Sequence, residues 1–239
     1  MWEPPPGFDD ILGDAQILGP HTGDYAVLTV PDIGQVRALR PRPDAVAHLA
    51  MMVNPDIRVT DEEIRAAGGD PDGAKSTKQQ HHSSLFVRDH LHCVDHERIL
   101  TDMVTADDDA PDNPLGAIVR ALATWGTARP YIAVMSLALV SATHWRVLRT
   151  RMRADGIPNP MAALTSMHDV LDEAEKLWLE SIHTGNEDQD KQAQGKLFDQ
   201  LYAPEPGTAV NTKKVRPAGF SPEEVSASFR AAFRALGAR

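Results

Sequence analysis

Between Arg129 and Arg146 no residue carries a formal charge, and this is the strongest constraint in the chain. A helix from about Tyr131 to Met152 is apolar on nearly all sides there, so it must be covered from most directions. Just before it, Ile118, Leu122 and Trp125 fall at i, i+4 and i+7, one face of a second helix. Gly126 and Pro130 separate the two, because proline disfavours helical backbone in the residue before it and cannot donate to the turn behind it. The reading is a central helical hairpin over about 114–152, wrapped by amphipathic helices. The fold class expected is mainly α: a helical bundle around that hairpin, with a small N-terminal β-ribbon and arm.

A membrane span is a poor account of the apolar run. Tyr131–Trp145 reaches roughly 22 Å at about 1.5 Å per residue, short of a hydrocarbon core of roughly 30 Å. Ser136, Ser141, Thr143 and His144 also interrupt it. The first residues, MWEPPPGFDD, lack the basic and apolar regions of a signal peptide. The single cysteine, Cys93, has no intrachain partner, which fits a reducing compartment. A net charge of −10 argues against non-specific nucleic-acid binding, which needs positive surface to displace counterions. It suits a partner that is basic or apolar.

Four regions are expected. Residues 1–40 read as an extended Pro/Gly arm, with strands at Tyr25–Val30 and Gln35–Leu39 around the turn Pro31–Gly34. Such a ribbon is marginal alone and must pack on the body or on another chain. Residues 41–184 form the helical core. Its first helix, from Pro43, ends at Asn54-Pro55. Thr60 with Glu63 makes a capping box, and Val59 with Ile64 is set for a staple. Residues 70–82, DPDGAKSTKQQHH, have no apolar period and read as a mobile loop or insertion. TADDDAPDNP at 105–114 reads as an acidic loop, and Ser166 caps a strong amphipathic helix. Residues 185–219 read as a polar, Pro/Gly-rich linker carrying a short apolar patch at Leu197–Tyr202. Residues 220–239 read as a terminal amphipathic helix: Ser221 N-cap, Pro222 at N1, Glu224 closing the box. Its stripe Val225, Phe229, Phe233 and Leu236 either completes the core or docks into a partner's groove. That stripe is the candidate partner-binding site.

Chemistry is sparsely signalled. His90-Leu-His-Cys-Val-Asp-His96 offers imidazoles and a thiol, with His92, Cys93 and His96 the candidate metal ligands. No second His/Cys group has finger spacing and there is no HExxH. The competing account is a polar helix junction with Asp95 as N-cap. His81-His82 reads as solvated. Asp107–Asp109 with Asp112 lacks the glycine and glutamate positions of a calcium loop. No GxSxG elbow, GxGxxG or Walker phosphate loop is present. No catalytic residue, metal or cofactor is therefore assigned, and the chain is read as no enzyme.

Three segments carry a resemblance: Leu85-Phe-Val-Arg-Asp-His-Leu-His92, Asp112-Asn-Pro-Leu-Gly-Ala117 and Arg120-Ala-Leu-Ala-Thr-Trp-Gly-Thr-Ala-Arg-Pro130. It continues through His144-Trp-Arg146, Ser166-Met-His168, Leu201-Tyr-Ala-Pro204 and Pro217–Pro222. The chain resembles the tail assembly chaperones of long-tailed, siphovirus-type phages of actinobacteria, over roughly residues 38–236. RALATWGTARP is the specific string. The stretches 1–37 and Arg58–His82 stand apart from the pattern of that family. The resemblance implies a chaperone that binds the tape measure protein in the host bacterial cytoplasm while tube subunits polymerise, and that is absent from the finished virion. It also implies a short form whose longer, frameshifted partner form contacts the major tail tube subunit. Self-association is open; nucleic acid and membrane are not expected partners. The alternatives are a structural minor tail protein of the virion and a metal-dependent hydrolase using His90–His96. No functional site is expected within 114–151, where Trp125 and Pro130 read as a packed corner.

Overall fold

The computed structural model describes residues 7–16, 18–19, 23–105, 114–182 and 186–202. Among them are eleven helices and one two-stranded antiparallel sheet. The fold is mainly helical, as the sequence implies. The expected linker at 203–219, the terminal helix with Val225, Phe229, Phe233 and Leu236, and most of the acidic loop lie outside the described residues.

The apolar run forms α7, Tyr131–Thr143, at the centre of the body. Its main neighbours are α2 (Ala45–Met52) and α10 (Met167–Ser181). Ala133, Ala138 and Ala142 of α7 and Ala45, Ala47 and Ala50 of α2 are buried, and such small side chains let helix axes approach closely. Ser141, fully buried, satisfies its hydroxyl by donating to Leu137 O at 2.8 Å within its own helix.

The expected helix from Tyr131 to Met152 is in fact two. It breaks at His144, and α8, Trp145–Ala154, leaves α7 at 82°. The pattern changes at that point. Trp145, Leu148 and Met152 are buried, while Arg146, Val147 and Arg153 are exposed. A chain apolar on all sides becomes one with a single apolar face, and the bend carries its arginines to water. The hairpin also differs from expectation. α6, Pro114–Ala123, touches α7 but packs more extensively on α4 (Pro71–His90). Gly126, at φ 86, takes the left-handed turn that redirects the chain before Pro130.

The N-terminal arm is not wholly extended. Phe8–Gln16 forms helix α1, with Ile11 fully buried against the body. Asp14 accepts from Trp145 Nε1 at 2.7 Å and Arg149 Nη1 at 2.8 Å, and Asp10 pairs with Arg146. A Cβ at Gly7 would meet Ala142 O at 2.6 Å, so only glycine allows this approach. These contacts are with residues more than a hundred positions away, which local pattern cannot reveal.

β1 (Ala26–Val30) and β2 (Gly34–Ala38) pair from Ala26↔Ala38 to Val30↔Gly34. Val30, Val36 and Ala38 are buried. β2 is tied to the body by a bridge from Ala38 to Leu91 and by His92 N donating to Arg37 O at 2.9 Å.

The stretch read as a loop at 70–82 is instead the first half of α4, a 20-residue helix. Asp70 accepts from Asp72 N at 3.0 Å as its cap, and Pro71 stands in the first turn. Ala74 and His82 turn inward, a face too weakly apolar to register as a period. α3, Asp61–Ala66, begins at the expected Thr60–Glu63 capping box. α5 runs over Cys93–Thr105, and α9 over Pro160–Ala163. Ser166 caps α10 as expected, its box completed by Asp169. The polar start of the expected linker is helical too: α11 spans Glu187–Tyr202 and packs on α7, burying Leu197 and Leu201.

Candidate interaction surfaces

The histidine cluster does not converge. His90 is fully buried in the last turn of α4, its Nδ1 2.6 Å from Phe86 O and its ring 4.7 Å from the Phe86 ring. His92 sits at the junction before α5, accepts from Val94 N at 3.3 Å and meets Tyr25 edge-on. Cys93 is exposed. Asp95 does not cap the helix that follows. It lies in the first turn of α5, where it accepts from Arg37 N at 3.0 Å and Arg37 Nε at 2.7 Å. The hydrogen bond from the Arg37 side chain holds the Asp95 carboxyl below the usual carboxylate range. Among the described residues no group of three or more His, Cys, Asp or Glu could hold a metal ion. The cluster therefore acts as a junction: its backbone extends the ribbon and ties the end of α4 to β2, and the Asp95 side chain fixes α5 to β2.

A second histidine contact escaped the sequence reading. His82, expected to be solvated, is 9% exposed, with Nδ1 3.2 Å from His48 Nδ1 on α2. Burial, with His48, His81 and Lys78 nearby, lowers the His82 pKa to about 4. A neutral pair can share one proton across that distance; two charged rings cannot. The pair sits beside a shallow groove of about 360 Å³ lined by Glu63, Ala67, Lys78, His81 and His82.

The string RALATWGTARP holds packed contacts. The Arg120 guanidinium lies 4.8 Å from the centre of the Tyr131 ring, and that of Arg40 5.5 Å from the Trp125 ring. Trp125 O accepts from His168 Nε2 at 3.2 Å. Arg129 Nη2 donates to Asp172 and Glu175, both at 2.5 Å, and Glu175 accepts from the Tyr202 hydroxyl at 2.7 Å. Burial opposes the Arg129 charge, but its hydrogen bonds to Glu175, Asp172 and Tyr202 outweigh that and keep it firmly protonated. One arginine thus ties the turn before α7 to α10 and to the end of α11.

Large apolar side chains reach solvent elsewhere. α5 exposes Val94, Leu100 and Met103, while only Ile99 of its apolar residues is buried among those with described side chains. α11 exposes Phe198 and Tyr202, one turn apart, with ring centres 6.0 Å apart. The sequence marks Phe198 and Tyr202 as part of an apolar patch; Leu100 and Met103 carry no such signal, since their helix is ordinary and amphipathic. No single helix among the described residues is long and apolar enough to cross a membrane.

Residues 1–130 match a family model described as phage tail assembly chaperone protein. Residues 140–238 match a second model, described as a family of unknown function. The first match spans the N-terminal arm and the stretch 58–82 as well. No curated protein and no solved structure matches the chain.

Proposed function

The chain belongs to the phage tail assembly chaperone family, and from that premise we propose that it binds the tape measure protein and keeps it soluble until the tail tube encloses it. It acts in the host cytoplasm and leaves before the virion is complete. The observation that carries this reading is the placing of exposed apolar side chains on otherwise polar helices: Leu100 and Met103 on α5, Phe198 and Tyr202 on α11. A chaperone for an aggregation-prone helical client needs apolar contact without becoming insoluble itself. The net charge of −10 supplies that solubility. Family membership points to a non-enzymatic role.

Co-expression is the direct test. The tape measure protein should move from pellet to supernatant and co-purify with this chain. A double substitution, Leu100→Ser with Phe198→Ser, should reduce the rescue while leaving the chain folded, since both side chains are exposed. A tape measure protein that stays in the pellet, with nothing co-purifying, refutes the reading. Mass spectrometry of purified particles addresses departure: a stoichiometric amount there would favour a structural tail protein instead.

A further inference from the structure

Among the described residues β1 pairs on one edge only, with β2, while α6 packs against it. Among the described residues, no hydrogen bond reaches its backbone from anywhere but β2 and the Pro31–Ile33 turn. Proteins commonly protect such edges with lysine, proline or an inward charge. Ala26-Val-Leu-Thr-Val30 contains none of these. Val27 is 62% exposed and Tyr25, just before the strand, 44% exposed. Both are on the face that Thr29 shares, since alternate residues of a strand point the same way.

We propose that the open edge of β1 pairs antiparallel with β1 of a second copy of this chain, about a two-fold axis through Val27. Charge and side-chain chemistry select this partner and register. With Val27 opposite itself, Tyr25 faces Thr29 of the other copy and Ala26 faces Leu28. These are aromatic–Thr and aliphatic pairs of the kind that stabilise antiparallel sheets. Asp24 then faces Val30. Shifting the axis to Leu28 would set Asp24 against Asp32, a like-charge pair across the edge. Shifting by a single residue in pairing would put inward and outward faces together. The Val27 register therefore joins the two exposed apolar groups of each copy in one patch and brings no two acids together. The result is a four-stranded sheet, β2-β1-β1-β2. Five residues of strand bury little area, so the dimer is concentration-dependent rather than permanent.

The test is sedimentation velocity on the full chain over a wide concentration series, with cross-linking to fix the register. The mean mass should rise from monomer towards dimer. Val27→Lys sets two ammonium groups against each other and should weaken association at least about tenfold, with an unchanged melting temperature because the site is exposed. In a Cys93→Ser background, Val27→Cys should form an intermolecular disulfide readily, since self-opposed residues lie about 4.5–5.5 Å apart at Cα. Thr29→Cys should not, because its two copies stand about 13 Å apart along the strands. A chain that stays monomeric throughout, a Val27→Lys variant that associates as well as the parent, or equal cross-linking at positions 27 and 29 would overturn the proposal.

Discussion

Replacing Asp14 by alanine tests whether the N-terminal helix belongs to the body. Among the described residues, Asp14 is what hydrogen-bonds the indole of Trp145, which is fully buried. Alanine leaves that N–H without an acceptor, at a cost of about 1–3 kcal/mol. It also removes the partner of Arg149, whose side chain and that of Asp14 are 24% and 22% exposed. A pair that open to water adds at most about 1 kcal/mol. The total expected is about 1–4 kcal/mol. Asparagine keeps an acceptor for the indole and loses only the charge, so it should cost about 1 kcal/mol or less. Urea unfolding followed by circular dichroism measures both. The cycle with Trp145→Phe isolates the indole bond, because phenylalanine fills most of the same space but has no donor. A coupling energy of about 1–2 kcal/mol is expected. If alanine and asparagine cost the same, or the coupling lies within error of zero, α1 is not held by this bond.

Three further outcomes follow from the geometry. His82 is neutral when folded, with a pKa of about 4 against about 6.5 unfolded, so the unfolded chain binds more protons between these values. Stability is then complete above pH 6.5 and falls as pH drops towards 4; urea unfolding should show a loss of about 2 kcal/mol from pH 8 to pH 5 that His82→Gln abolishes. Arg129→Met leaves Glu175, only 13% exposed, without its cation. That should cost about 2 kcal/mol and speed amide exchange in α11 before α10; equal protection in both would contradict the role given to Arg129. Thr60→Ala removes the side chain that accepts from Glu63 N at 3.2 Å and should cost about 1 kcal/mol, read in thermal unfolding, while Thr60→Asp should preserve most of it.

Periodicity and capping chemistry were legible wherever structure is decided locally. Thr60–Glu63, Ser166 and the Asn54-Pro55 stop sit as expected, as does the ribbon around Pro31–Gly34. What failed was reading polar sequence as loop. Residues 71–82 and 187–196 are helical although neither has an apolar stripe. Propensity and capping permit helix there, and a few distant contacts select it: Gln79 Nε2 donates to Asn54 O at 2.9 Å, and Lys78 Nζ to Arg58 O at 2.8 Å. The break at His144 was hidden for the opposite reason. Apolar content runs straight through it, and only the change from all-round burial to one-sided burial marks the bend. As for the candidate surfaces, Phe198 and Tyr202 were visible as an isolated apolar patch. Leu100 and Met103 were not, because a sequence shows which residues share a helix face but not whether another element covers it.

The same contrast orders the molecule by how firmly its parts are held. α7, α2 and α10 share a core of fully buried aliphatic side chains, and opening any of them exposes all three. α11 contributes two buried leucines, Leu197 and Leu201, and is fastened at its end through Tyr202, Glu175 and Arg129. Asp190, 5% exposed, spends burial on a carboxylate rather than on an apolar group. Local opening free energy tracks buried apolar contact, so α11 should open long before the centre does. Lifting it would bare the α7 surface under Leu197 and Leu201 while the Ala-rich contact of α7 with α2 stays closed. Truncation before Glu187 should therefore leave a body that still unfolds cooperatively in urea and binds an apolar dye, because the α7 surface under Leu197 and Leu201 is bared. Loss of a cooperative urea transition would instead make α11 part of the same unit as α7, α2 and α10.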